Sequence, residues 1–256
     1  DDDEIINPVL TDDSADEQGI VYGQAVHRNE FGITKGTFWS PKGTYLAFYR
    51  MDQSMVSDYP LVDISQRVAL LDNIKYPMAG MISHKVTIGV YNIATGKTVY
   101  LRAGDPTDRY FTNIAWSPDE SKIYVIELNR DQNHSQLVRY DAGSGERETV
   151  LLEETHPKYV EPMYPILFVK GNDKQFIYQS QRNGFNHLYL YDTDGKLVKQ
   201  LTSGNWLVQN ILGFDKDGKN LFFMSTEKSP MESHLYKVNL KSGKRTLITS
   251  QAGMHD

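Results

Sequence analysis

Apolar and polar residues along this chain alternate in short stretches broken by Gly, Pro, Asp and Asn, the signature of β-hairpins rather than helices. Four stretches share one pattern: a strand rich in β-branched and aromatic residues, a polar turn with glycine, then a second, more polar strand. They read HKVTIGVYNIATGKTVYL from His84, SQLVRYDAGSGERETVLL from Ser135, NHLYLYDTDGKLVKQLT from Asn186 and SHLYKVNLKSGKRTLIT from Ser233. Their turn glycines, Gly96, Gly145, Gly195 and Gly243, fall at spacings of 49, 50 and 48 residues. Ahead of each lies a second hairpin pattern: FWSPKGTYLAFY from Phe38, AWSPDESKIYVIEL from Ala115, LFVKGNDKQFIYQS from Leu167 and GFDKDGKNLFFMST from Gly213.

Two hairpins per period of about fifty residues make four strands per unit, the anatomy of a β-propeller blade. The expected fold is therefore all-β, a propeller segment of about four four-stranded antiparallel blades. Blade 1 is placed at about 21–101, blade 2 at about 102–152, blade 3 at about 153–202 and blade 4 at about 203–250. A β-sandwich competes as an all-β arrangement but gives no reason for both hairpins to recur at constant spacing. Blade 1 carries an insert over 51–83. Its Val62, Ile64, Val68, Leu70, Leu71 and Ile74 are too apolar for a solvated linker and point to an extended arm with a contact surface. Four blades ending at Gln251-Ala252-Gly253 leave sheet edges to be covered, so the expectation is a fragment of a longer polypeptide.

Composition narrows the options. The formal net charge of −6 over 256 residues argues against nucleic acid as a partner, because phosphate binding needs a basic surface. With no cysteine, thiolate metal sites and thiol nucleophiles are both excluded. No apolar run approaches the roughly eighteen residues of a membrane-spanning helix. A nucleophile elbow, G-x-S-x-G, does not occur; Gly143-Ser144-Gly145 reads as a hairpin turn. His187 and His234 stand at matching places in successive units and read as scaffold rather than as a metal pair. Asp215-Lys216-Asp217-Gly218 reads as a turn, since the other ligand positions of a calcium loop are missing. Trp39 and Trp116 occupy equivalent repeat positions, where packing between blades is expected, and Trp206 reads as framework. No cofactor is called for.

The ordered motifs VHRNEFGITKGTFWSPKGTYLAFYRMD from Val26, YPMAGMISHKVTIGVYN from Tyr76, LNRDQNHSQLVRYD from Leu128, QSQRNGFNHLYLYDTDGKLVKQLTSGNWLV from Gln179 and ESHLYKVNLKSG from Glu232 carry a family likeness. From about Val21 to Ser250 the chain resembles the N-terminal propeller of dipeptidyl peptidase IV and its bacterial relatives, the prolyl-oligopeptidase-type serine exopeptidases. The resemblance implies a larger, eight-bladed propeller capping an α/β-hydrolase domain of the same polypeptide, whose catalytic serine, aspartate and histidine would lie beyond Asp256. It implies peptide substrates with a free N-terminus, a homodimer in the full-length protein with the 51–83 arm in dimer or domain contacts, and a bacterial envelope or periplasmic location.

In that family, acidic residues just before the FWSP-like strand bind the substrate ammonium. The counterpart here is HRNEFG, which makes Glu30 the candidate ammonium partner, with Asn29 and Arg28 beside it as substrate-binding candidates. The mammalian pattern has two adjacent glutamates, whereas only Glu30 is acidic here, so dipeptidyl and tripeptidyl release both stay open. Tyr159 to Tyr164 replaces the expected start of the third unit with an irregular stretch that has no assigned role. Two other classes remain, a non-enzymatic protein-interaction propeller and a carbohydrate-binding propeller, the latter requiring aromatic residues clustered on loops.

Overall fold

A computed structural model describes residues 19–255, so the acidic start, Asp1 to Glu4, lies outside the described residues. Apart from a single 3-10 turn at His27–Asn29, the regular elements are strands. The first sheet holds β1 (Ile20–Tyr22), β2 (Thr37–Trp39), β3 (Tyr45–Asp52), β6 (Lys85–Asn92) and β7 (Lys97–Tyr100); β4 (Asp58–Asp63) and β5 (Leu70–Lys75) form a separate two-stranded hairpin between β3 and β6. The second sheet holds β8 (Arg109–Trp116), β9 (Lys122–Asn129), β10 (His134–Asp141) and β11 (Arg147–Thr155). The third holds β12 (Leu167–Val169), β13 (Asn172–Ser180), β14 (His187–Asp192) and β15 (Leu197–Gln200). The fourth holds β16 (Val208–Phe214), β17 (Asn220–Ser225), β18 (His234–Asn239) and β19 (Arg245–Leu247). Each is an antiparallel meander, and the whole is the expected all-β propeller segment.

The core lies between consecutive sheets. Ala47, Ile88 and Val90 of the first pack with Ile114, Ile123 and Val138 of the second. Tyr124 and Leu137 of the second pack with Phe176 and Tyr189 of the third, and Ile177 and Leu190 of the third with Leu221 and Phe223 of the fourth. Strands covered on both faces must be apolar at successive positions, which is why β9 runs as IYVIEL instead of alternating. Polar contacts stitch the same junctions. The Tyr49 hydroxyl donates to the Phe111 carbonyl (2.9 Å), and Ser40 Oγ donates to the buried Glu120 carboxylate (2.6 Å).

The repeat is visible at atomic level. Asn92, Asp141 and Asn239 each accept, through Oδ1, an amide three residues on, from Thr95, Ser144 and Ser242; Asp192 does so from Asp194, in a turn one residue shorter. A side chain that closes its own turn explains why Asn or Asp recurs there. His187 and His234 are scaffold, as their repeat position implied. Nε2–H of His187 donates to the Gly204 carbonyl (3.0 Å), so Nδ1 accepts from the Thr202 hydroxyl, which itself accepts the Leu188 amide. His234 repeats this with Glu232, Thr249 and Leu235. Asp215 to Gly218 is the expected turn, its Oδ1 receiving the Lys219 amide (2.8 Å).

Two features differ from the sequence expectation. Trp116 is buried between sheets, stacked on Tyr45 and donating to the Phe38 carbonyl (3.0 Å), but Trp39 is half exposed. Trp116 packs on the preceding sheet, and among the described residues no sheet precedes the one that holds Trp39. The second difference is that the first edge strand of the first sheet is broken. β1 pairs with Arg50–Asp52 of β3, and β2 pairs with Leu46–Phe48. Between them, at Tyr49, Gly23 N–H donates to the Tyr49 carbonyl and Tyr49 N–H to the Gly36 carbonyl, both at 2.9 Å. Residues 24–35 leave the sheet through this gap and return to it, forming a compact Ω-type loop with a pinched base.

Candidate functional site

The excursion at 24–35 contains HRNEFG. Its ends are apolar and anchored: Val26 and Ile33 are buried in the core between the first and second sheets. Between the anchors the backbone is left-handed at four non-glycine residues, with φ of 53° at His27, 57° at Arg28, 63° at Asn29 and 56° at Phe31. Each costs roughly 1–2 kcal/mol, so the surroundings must over-determine the conformation. Local bonds close it: Asn29 N–H to Val26 O, Glu30 N–H to His27 O and Ile33 N–H to Glu30 O, all at 3.1 Å. At Gly32 a Cβ would lie 2.1 Å from the Met163 carbonyl, so only glycine lets the loop lie against the 159–164 segment.

Two buried side chains hold the loop from below. Phe31 packs on Tyr110 (ring centroids 5.1 Å), and His27 meets the same ring edge-on (4.9 Å) and stacks on His84 (5.0 Å). The histidine tautomers follow from the partners. The Phe111 amide donates to His27 Nε2 (3.3 Å), so the His27 proton is on Nδ1 and donates to His84 Nε2 (3.0 Å). Burial, with His84 alongside, holds the His27 pKa well below the usual imidazole value. Burial and the nearby Arg130 and Arg28 charges bring His84 down to about 4. Both rings are therefore neutral near pH 7. His84 stands just before β6, at the end of the hairpin insert, and ties the foot of that insert to the loop.

The three sequence-predicted residues are together but play unequal parts. Arg28 is exposed, and its guanidinium lies 4.5 Å from the centroid of the Tyr76 ring at the foot of the β4–β5 hairpin. Asn29 is exposed beside it. Glu30 is exposed and, among the described residues, forms no ion pair. The two cations adjacent in sequence are turned elsewhere, Arg28 over Tyr76 and Lys35 over Phe38 (5.3 Å).

Beside the loop runs the 159–164 segment, which forms one side of a cleft of about 160 Å³ that also takes in Glu154, His156, Tyr178 and Arg182. Arg182 is the cleft's organising cation. It pairs with Glu154 (2.8 Å), donates to the Tyr191 hydroxyl (2.8 Å) and lies 4.3 Å from the Tyr189 ring centroid. Its charge is thus matched internally, whereas Glu161 on the opposite wall is exposed. Sequence reasoning missed this cleft and gave Tyr159–Tyr164 no role, because the segment is irregular and its neighbours are remote in sequence. It also passed over His27 and Asn113. His27 stood inside the motif already singled out, where it and Phe31 are the two buried positions of HRNEFG.

A propeller segment whose first sheet bears, at its edge, a strained loop with one exposed carboxylate is the kind of protein the geometry defines. The family described as dipeptidyl peptidase IV (DPP IV) N-terminal region matches residues 7–256, and the chain belongs to that family. It is similar to the crystal structure of a candidate dipeptidyl aminopeptidase IV from Bacteroides ovatus, with a TM-score of 0.86, 55% identity, and coverage of 93% of this chain and 35% of that one. It is likewise similar to Porphyromonas gingivalis dipeptidyl peptidase 4, with a TM-score of 0.82, 30% identity, and 93% and 34% coverage. Among curated proteins, dipeptidyl aminopeptidase B of Saccharomyces cerevisiae is 27% identical over 254 residues, covering 92% of this chain and 30% of that protein. The chain thus spans about a third of the length of these relatives.

Proposed function

We propose that this chain is the propeller region of a serine exopeptidase of the dipeptidyl peptidase IV type, where it restricts access and binds the free N-terminus of peptide substrates through Glu30. Hydrolysis on this reading is supplied by an α/β-hydrolase domain of the same polypeptide, which the residues of this chain do not provide. The observation that carries the reading is Glu30 itself: a carboxylate with no ion pair among the described residues, on a loop whose conformation is fixed from below, with both neighbouring cations stacked on aromatic rings. A strand-end carboxylate serving only solubility has no need of four left-handed residues. The exposed β4–β5 hairpin, with Ile64 83% and Val68 76% exposed, is assigned to the homodimer contact.

The test is Glu30→Gln in the full-length protein. Truncating one member of a desolvated charge pair costs about 2–5 kcal/mol, so kcat/KM for peptides with a free amino terminus should fall by about 30-fold or more. N-acetylated peptides, which carry no ammonium, should be cleaved equally poorly by both forms. Unchanged kinetics on free-amine peptides would remove the assignment.

A further inference from the structure

Asn113 is the residue through which the two walls of the candidate site touch. It lies in β8, where Thr112 pairs with Ile126 and Ala115 with Tyr124, so that Asn113 and Ile114 together oppose Val125 in a β-bulge. Bulges re-aim a side chain out of the sheet's regular alternation. Here φ is 54°, a left-handed conformation that asparagine adopts more readily than most residues. The side chain is buried, 7% exposed.

From that position Nδ2 donates to the Pro162 carbonyl (2.7 Å) and to the Phe31 carbonyl (3.2 Å), and contacts Thr112 Oγ1 (3.1 Å). The orientation of the amide is forced. Carbonyls only accept, and the Thr112 hydroxyl spends its proton on the Ile126 carbonyl (3.0 Å), so the nitrogen end must face all three. Phe31 follows Glu30 directly, and Pro162 follows Glu161 directly. A single NH2 group, supplied by the second sheet, therefore holds the Glu30 loop and the Glu161 wall of the cleft side by side. Gly32 against the Met163 carbonyl is the steric half of the same contact.

We propose that Asn113 is a positioning residue for substrate recognition: its side-chain amide sets where the Glu30 carboxylate stands relative to the cleft wall that receives the substrate's first residue. Buried carbonyls left without a donor would move toward solvent or water, and the loop and the wall would part. The chemistry being positioned is an ammonium group held by Glu30, so the inference rests on the function proposed above. Asn113 touches no substrate in this scheme. It acts through backbone atoms adjoining the residues that do.

The experiment is a double-mutant cycle in the full-length protein with free-amine peptide substrates. Asn113→Gly keeps the left-handed backbone and removes only the amide. Asn113→Asp keeps the shape and places an acceptor against two carbonyls, and it supplies the same cycle should the glycine variant fold poorly. Either should raise KM about tenfold with kcat little changed and the melting temperature retained to within a few degrees. Combined with Glu30→Gln, neither should raise KM further, because the amide acts through Glu30. A purely structural role would instead lower kcat and stability without regard to Glu30. If Glu30→Gln raises KM but the Asn113 variants do not, or if the two losses multiply, this inference is overturned and the Glu30 reading stands. If Glu30→Gln leaves KM unchanged, the ammonium reading falls and this inference with it.

Discussion

Gly145 and Gly171 share a backbone conformation but not an environment, and alanine at each separates two kinds of cost. Both are turn glycines, with φ of 73° and 75°. Alanine in that region costs about 1–2 kcal/mol, partly offset by about 0.4–1 kcal/mol of entropy lost from the unfolded chain. At Gly171 nothing lies within 4 Å of the added Cβ, so the net loss should be about 1 kcal/mol. At Gly145 the Cβ would sit 2.3 Å from the Tyr100 carbonyl of the preceding sheet, where ordinary contact begins at 3.4 Å. Relieving it means moving one sheet's turn about 1 Å from its neighbour's last strand. That also stretches the bond from Arg102 N–H to the Gly145 carbonyl (2.8 Å). Overpacking adds about 1–3 kcal/mol and the weakened hydrogen bond about 1, for a total of about 3–5 kcal/mol. Urea unfolding read by intrinsic fluorescence, with the slope checked against wild type, measures both losses. Equal losses at the two positions would mean that the sheets do not pack through these turns.

Two further outcomes are expected. Burial pushes the Glu120 carboxyl up, but hydrogen bonds from Ser40, Thr44 and the Lys42 and Thr44 amides outweigh it and hold the pKa at about 2, against 4.5 for the free group. The folded state therefore binds its proton later than the unfolded chain, so this stabilisation is complete above pH 4.5 and is lost as pH falls toward 2. The melting-temperature gap between wild type and Glu120→Gln should be flat above pH 5 and shrink below it; a gap that ignores pH would remove the Ser40–Glu120 contact from the account. If the hairpin forms the proposed homodimer contact, Ile64→Asp combined with Val68→Asp changes side chains that are largely exposed and should lower the mass of the full-length protein in light scattering, whereas an unaltered mass would remove that proposal.

What the sequence displayed was local. The turn glycines, the Asn or Asp that closes each turn, and the twice-repeated hairpin are signals within six residues, and the four sheets follow from them. Trp39 and Trp116 show where such signals stop: the same motif gives one exposed ring and one buried ring, because burial depends on which sheet lies behind. The Glu30 loop was legible as a motif but not as an excursion from a broken strand, since its base is closed by Tyr49, seventeen residues beyond HRNEFG. Asn113 was invisible, because its partners Phe31 and Pro162 stand 82 and 49 residues away and only the assembled sheets bring them together. His27 was in plain view, but nothing local marks it as buried, because its partners His84 and Phe111 stand 57 and 84 residues away. Its buried, neutral ring is what makes the position of Glu30 definite.

An exposed Glu30 raises a question of magnitude that bears on how such a propeller works. Ion pairs open to solvent are worth about 0–1 kcal/mol, too little to separate a free N-terminus from a blocked one. The same carboxylate facing an ammonium in a desolvated site is worth several times more. On the proposed function the chain supplies the part that must be rigid: a loop fixed by His27, Phe31, Gly32 and Asn113, with a carboxylate that has no ion pair among the described residues. On that reading, excluding water falls to an opposing surface. On the proposed function, discrimination therefore arises only when the propeller is covered, and access and recognition become one property of the closed chamber. A carboxylate on a loose loop would gain little from closure, because ordering it would offset much of the stronger attraction. The backbone strain stored in HRNEFG is thus best understood as ordering completed at folding, before any substrate arrives.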